Sequence, residues 1–164
     1  MDTLSAIAVR HSTREYKAQP VPREIVQRIV EAGLRAPTAR NEQPWEFIIV
    51  TDAAMRKLIA ELTDHGRFIA QAPACVAVFC KDVKYYLEDG CAATQNILLA
   101  ATDLGVQSCW IAGDKKPYGA QVAQMLKTPA GHRLISLLTL GYGAIPGRSP
   151  DRRDPKQVIH WEQF

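Results

Sequence analysis

Three short stretches of this 164-residue chain set polar and charged side chains beside structure breaks. In Arg10-His11-Ser12-Thr13-Arg14-Glu15-Tyr16, two guanidiniums stand four residues apart with a hydroxyl between them, at the end of a short helical pattern. Arginine offers a fixed fork of donors to phosphate or carbonyl oxygen and serine adds a neutral donor, so this stretch can address an anion. The same residues also suit a solvated helix end with Glu15 as an ion-pair partner. In Ala36-Pro37-Thr38-Ala39-Arg40-Asn41-Glu42-Gln43-Pro44-Trp45, two prolines fence a loop that carries two primary amides. An amide supplies both donor and acceptor, which suits a heterocycle edge with alternating N–H and C=O groups; satisfying the loop backbone is the competing use. In Gly147-Arg148-Ser149-Pro150-Asp151-Arg152-Arg153-Asp154-Pro155, three arginines could close on a phosphate, or pair with Asp151 and Asp154 in solvent.

Self-contained acid–base machinery is not visible. Ser12 follows His11 directly, and neighbours on a helix do not face each other. There is no GxSxG elbow. His11, His65, His132 and His160 are scattered. The four cysteines (Cys75, Cys80, Cys91 and Cys109) show neither CxxC spacing nor a histidine at a zinc-finger interval. They read as reduced hydrophobes of a core, with no metal site. Gly141-Tyr142-Gly143 does not follow dinucleotide or P-loop spacing. If the chain is an enzyme, a bound cofactor is expected to bring the reactivity.

The elements that position these stretches follow from periodicity. Helices are expected over Thr3–Val9, Arg23–Ala36, Ala53–Leu62 with Asp52 as cap, Tyr86–Leu104 with Gly105 as stop, and Tyr118–Lys127. Glu46–Thr51, Ala74–Cys80, Ser108–Ile111 and Leu134–Gly141 are short and rich in β-branched or leucine residues and read as strands, with Gln157–Trp161 a further extended candidate. The long helix is apolar on nearly every face, which predicts burial on several sides and a dimer. The length suits one domain over residues 1–164, and the alternation of elements suggests an α+β sandwich. A chain that is 47% hydrophobic and 23% charged excludes general disorder, and a net charge of +3 is too weak for a nucleic-acid partner. No secretory signal is seen, and the longest apolar run, Ala72–Cys80, is far short of the roughly 20 residues that cross a bilayer, so a cytoplasmic protein with no membrane partner is expected.

Taken in order, RHSTREY, APTARNEQPW, EDGCAATQNILLAATDLGVQSCWIAG, and RRDP before VIHWE resemble the flavin-dependent nitroreductase family. The resemblance runs from Leu4 to Trp161, at the family's compact end, without the longer excursions that cover the substrate face in larger members. It implies a three-layer α+β sandwich with a central, mostly antiparallel sheet flanked by helices, and a C-terminal segment reaching over the partner subunit. It also implies a homodimer with one FMN at each of two interface sites. On that resemblance Arg10 binds the phosphate, Ser12 and Arg14 reach the ribityl chain and pyrimidine side, and His11 joins them within the same motif. A cation at Arg14 would stabilise negative charge arising at flavin N1 and O2 on reduction. Pro37, Thr38 and Asn41 match the loop supplied by the other subunit, with Asn41 on the ring edge. Arg153 matches the late basic residue on the phosphate, assisted by Arg152, while Asp151 stands where some relatives are basic. Ala112 and Gly113 match backbone N–H groups near flavin N5 and O4; some relatives carry an acid at Ala112, so only a main-chain role carries over. The implied activity is ping-pong transfer of hydride from NADH or NADPH through FMN to a small acceptor: a nitroaromatic, a quinone or an activated alkene. Specialised flavin chemistry (fragmentation of the flavin, or reductive dehalogenation) and a non-catalytic flavin-binding or sensing module are the alternatives.

Overall fold

In a computed structural model, which describes residues 1–147 and 149–164, alternating strand periodicity produces a four-stranded antiparallel sheet with helices on both faces. The strands are β1 (Trp45–Val50), β2 (Ala74–Lys81), β3 (Gln107–Ala112) and β4 (His132–Gly141), in the spatial order β1-β2-β4-β3. The helices are α1 (Thr3–Val9), α2 (Arg23–Glu31), α3 (Ala53–Leu62), α4 (Tyr86–Asp103) and α5 (Gly119–Met125). Period-two alternation sends Val76, Val78, Leu138 and Leu140 to one face, against Val26 and Ile29 of α2 and Ala93 and Ile97 of α4. Ala77, Phe79 and Leu137 point the other way, against Ile59 of α3 and Val122 of α5. Because both faces are covered, β2 and β4 read as continuous apolar runs rather than alternating ones. Cys75, Cys80 and Cys109 are buried in these layers and all four cysteines are free; burial pushes the Cys75 and Cys80 thiols up to about 12.

On its β2 side, β4 carries a bulge. Val78 pairs with Ser136 and Phe79 with Leu134, so Ile135 is the extra residue. Ile135 and Ser136 consequently both face α4. The Ser136 hydroxyl lies 2.8 Å from that of Thr94, and a Cβ added at Gly90 would sit 2.7 Å from Ile135. The Ile135 carbonyl accepts from the Gly113 N–H at 3.0 Å, just past the end of β3.

Three local expectations are corrected. The second helix stops at Glu31 and tightens into a 3-10 turn over Ala32–Arg35, because Gly33 sits where a Cβ would press on Phe47 at 2.9 Å and Ile97 at 3.1 Å. The Pro37–Pro44 stretch contains a 3-10 turn at Ala39–Asn41. Gln157–Trp161 is not a strand; a 3-10 turn over Pro155–Gln157, capped by Asp154, precedes an exposed end with no strand beside it to pair with. Leu4 and Ile7 share a face of α1 as expected, but that face points outward, with Leu4 77% exposed. Among the described residues no helix is long and apolar enough to cross a membrane.

One buried tyrosine ties the N-terminal segment to the sheet. The Tyr16 hydroxyl donates to the Thr13 carbonyl at 2.6 Å and lies 2.7 Å from the Thr139 hydroxyl on β4, and burial raises its phenol well above the ordinary range. Tyr16→Phe leaves both partners buried without it, which costs roughly 1–3 kcal/mol. A lowered urea midpoint with an unchanged m-value is the expected outcome, and an unchanged midpoint would remove Tyr16 from this role.

Candidate cofactor site

Arg10 closes α1, and the chain then runs extended along the open edge of β3 rather than continuing as a helix. Ser12 forms a parallel bridge with Ser108, and the Thr13 N–H donates to the Ser108 carbonyl at 3.0 Å. Farther on, Tyr16 pairs antiparallel with Gly143 after β4. In an extended segment alternate residues share a side, so inward burial of Thr13 turns Arg10, Ser12 and Arg14 together toward the other. The spacing of four between the arginines thus falls in extended chain, where residues two apart share a side. Cys109 on β3 registers this convergence: Arg14, a hydrogen bond from Ser12, and Arg10 all favour its thiolate, yet burial outweighs them and its pKa stays raised. Ser12 and Arg14 thus stand beside Cys109 on the β3 edge, with Arg10 preceding them at the end of α1.

His11 points away from that row. Its Nδ1 lies 3.0 Å from the Val9 carbonyl, and its Nε2 is buried without a hydrogen-bond partner. Gly147 passes directly over the imidazole, where any Cβ would collide with the ring. Two residues on, the Ser149 hydroxyl is held 3.2 Å from the Ala8 carbonyl and 3.4 Å from that of Arg10. This clasp brings the C-terminal basic loop to the end of α1. Arg152 and Arg153 follow in exposed chain, with Arg153 donating to the Gln157 carbonyl at 3.5 Å; Arg148 lies outside the described residues.

Beyond Arg14 the β3 edge opens into a recess of about 150 Å³ lined by Arg14, His65, Cys109, Ala112, Lys116 and Tyr118. The antiparallel ladder alternates between bonded and outward-facing residues. Gly113 is bonded, so its N–H is spent on Ile135 and does not serve as an outward donor, correcting the role expected for it. Ala112, one residue earlier, turns its N–H and C=O to the open edge; its carbonyl accepts from the Tyr118 hydroxyl and its N–H faces the recess. Gly113 matters for its size instead, since a Cβ there would lie 2.7 Å from Leu134. The following Asp114 is braced by Arg133 at 3.1 Å and by the Tyr86 hydroxyl at 3.0 Å.

The amide loop is built around Asp89 in the first turn of α4. The carboxylate accepts from the Thr38 hydroxyl at 2.7 Å and the Ala39 N–H at 3.2 Å. Thr38 in turn accepts from the Gln43 N–H at 3.0 Å, and the Gln43 side chain donates to the Asn41 amide oxygen at 3.0 Å. Arg40, Asn41 and Gln43 all hold positive φ, of 55°, 57° and 46°. Asn tolerates that region, whereas Arg and Gln adopt it only where surrounding bonds over-determine it. Sequence reading missed Asp89, Tyr118 and Asp114 as supports; the one visible signal was a pair of acids, Glu88-Asp89, heading an otherwise apolar helix.

Within one protomer the two polar groups do not meet. The Asn41 loop leads into β1 and the Arg10–Arg14 row lines β3, at opposite edges of the sheet. Three inter-strand steps, about 14 Å, lie between them. The donors along β3 suit a phosphate at the Arg10 end and an anionic ring edge at the Arg14 end, and the buried Oγ of Ser108, on the residue that bridges to Ser12, has no hydrogen-bond partner. That donor chemistry fits a phosphorylated flavin.

The comparisons with known proteins agree with this architecture. The family model described as the nitroreductase family matches residues 7–82 and 65–142. A Methanothermobacter thermautotrophicus protein, provisionally named NADH dehydrogenase/NAD(P)H nitroreductase, is 33% identical over 100% of this chain and 88% of its own length. The NADPH-flavin oxidoreductase of Vibrio harveyi is 26% identical over 99% of this chain and 75% of its own. Among solved structures, an FMN-dependent nitroreductase of Clostridium difficile superposes with a TM-score of 0.92 at 25% identity, covering 98% of this chain and 99% of its own. With the sandwich, the β3 edge and the family match in agreement, the chain belongs to the nitroreductase family.

Proposed function

We propose that this protein is an FMN-dependent oxidoreductase that takes electrons from NADH or NADPH and passes them by a ping-pong mechanism to nitroaromatics, quinones or activated alkenes. The observation that carries the reading is the alignment of Arg10, Ser12 and Arg14 on one side of an extended segment, ending at the recess below Ala112. When bound, FMN supplies the two-electron chemistry, accepting hydride from a reduced nicotinamide and returning it to an electron-poor acceptor. The chain's residues supply position and charge. Arg10 holds the phosphate, and Ser149 fastened to the end of α1 keeps Arg152 and Arg153 within a few residues of joining it. Ser12 donates to the ribityl chain. Arg14 sets a fixed cation beside the pyrimidine edge, where it opposes the negative charge of the reduced ring without moving a proton. The Ala112 N–H addresses the opposite edge. Pro37, Thr38 and Asn41 act from a second copy of the chain, which explains why their loop stands at the other edge of the sheet.

The homodimer is supported by apolar surface that one protomer leaves uncovered. Leu4, Ile7 and Val9 on α1 face outward, and the tail exposes Val158, Ile159 and Trp161, the last 83% accessible. Apolar residues left exposed on α1 and along the tail are available for an interface. A C-terminal tail laid over the partner would bury them.

The first test is anaerobic. Purified yellow protein should bleach with NADH or NADPH and recolour on addition of a quinone or a nitroarene; protein that holds flavin but is bleached by neither nucleotide is a binding module instead. Arg10→Ala removes a charge-assisted bond to the phosphate worth about 1.5–3 kcal/mol, so FMN affinity should fall roughly 10- to 100-fold, read by flavin fluorescence titration. Mixed dimers test the shared site. Arg10→Ala and Asn41→Ala subunits, each impaired alone, should together recover one undamaged site per dimer and bind FMN at half stoichiometry with wild-type affinity. No recovery would place Arg10 and Asn41 in the same protomer's site.

A further inference from the structure

Asp89 is 5% exposed, and among the described residues no Lys, Arg or His nitrogen lies within 4 Å of it. A buried carboxylate without a cation is costly, and its burial is compensated here only by hydrogen bonds and by the N-terminal end of α4. Both hydrogen bonds come from the Thr38–Gln43 loop, from Thr38 and Ala39. We infer that Asp89 is a positioning residue for the cofactor: through Thr38 and Gln43 it holds Asn41 with its amide nitrogen outward, so that the loop presents a donor to an acceptor atom of the ring bound by the partner subunit. This rests on the FMN reading above.

The direction of each bond follows from the carboxylate. An ionised Asp89 can only accept, so the single proton of the Thr38 hydroxyl is committed to it. Thr38 then meets Gln43 with lone pairs and accepts its N–H. The resulting turn carries the Gln43 amide nitrogen to the Asn41 oxygen, which leaves the Asn41 nitrogen as the free end of the relay. The three positive φ angles lie within this six-residue loop, so the relay also holds backbone that would otherwise relax. Replacing Asp89 by Asn keeps the shape and removes one acceptor. Thr38 and Ala39 then compete for a single oxygen, and the relay loses its direction.

The test uses full-length protein stripped of flavin and titrated with FMN. Asp89→Asn is expected to bind FMN at least tenfold more weakly and, at saturation, to shift the visible absorption band of bound flavin, because the ring-edge donor has turned away. Thr38→Val should do the same, Thr38→Ser should recover most of the affinity, and the double variant Asp89→Asn/Thr38→Val should be no weaker than the worse single one. A merely structural acid would lower the melting temperature and leave the bound-flavin spectrum as in the wild type, and that result overturns the assignment. So does unchanged affinity in Asp89→Asn. If Asp89→Asn does not fold, the Thr38 variants decide by the same readouts. Wild-type protein that takes up no FMN would overturn the proposed function and this assignment with it, whereas wild-type binding beside an unaffected variant overturns the assignment alone.

Discussion

The open edge of β3 is the constraint on which the rest of this molecule depends. An edge strand presents a row of N–H and C=O groups with no neighbour, and a folded protein has to cover or use them. Here the first half of the edge is covered by the chain's own N-terminal segment, through the Ser12–Ser108 bridge and the bond from Thr13. The second half, around Ala112, is left beside a recess. Ladder alternation decides which backbone groups face that recess: the register that pairs Ala112 with Ser136 carries on to the bond from the Gly113 N–H to the Ile135 carbonyl.

Charge at this edge is arranged by backbone rather than by pairing. Arg10 and Arg14 have no carboxylate within ion-pair distance among the described residues, so their guanidiniums are left for a ligand. Ion pairs elsewhere brace the surroundings, as Arg133 does for Asp114 and Lys116 for Asp64. The local field of the arginines is strong enough to act on Cys109, but desolvation of the thiol is stronger still. Cys109 therefore serves the site as a small packed floor and not as a nucleophile.

The division of polar groups between two sheet edges gives the fold a reason to pair. A single protomer carries a cationic row without a cover and an amide loop without a ligand. It also leaves apolar residues on α1 and in the tail facing water. In the proposed homodimer a second copy would meet each deficiency, making assembly and cofactor binding one event. Asp89 belongs to the same logic: its buried charge stabilises a loop that does nothing for the protomer's own β3 edge.

Much of this was legible in the order of residues. The helices at Thr3–Val9 and Ala53–Leu62 and the four strands followed from apolar periodicity and breakers, which in Ala53–Leu62 and the strands reflect burial of a face. The types of chemistry were legible too: guanidiniums for an anion, amides for a heterocycle edge, and no self-contained acid–base set. What the sequence could not disclose was geometry set by distant neighbours. Arg10 and Arg14 were seen to follow a helix end, but that the segment runs along β3, with Ser12 bridged to Ser108, was not visible. Gly113 looked like an outward donor, but its N–H continues the β3–β4 ladder to the Ile135 carbonyl. Gln157–Trp161 looked like a strand, but a strand needs a ladder beside it and one chain offers none at that place. The sequence by itself determined which groups are present and how they repeat, since that depends only on local spacing; the tertiary structure decided which way each group faces, since that is set by hydrogen bonds and packing between segments far apart along the chain.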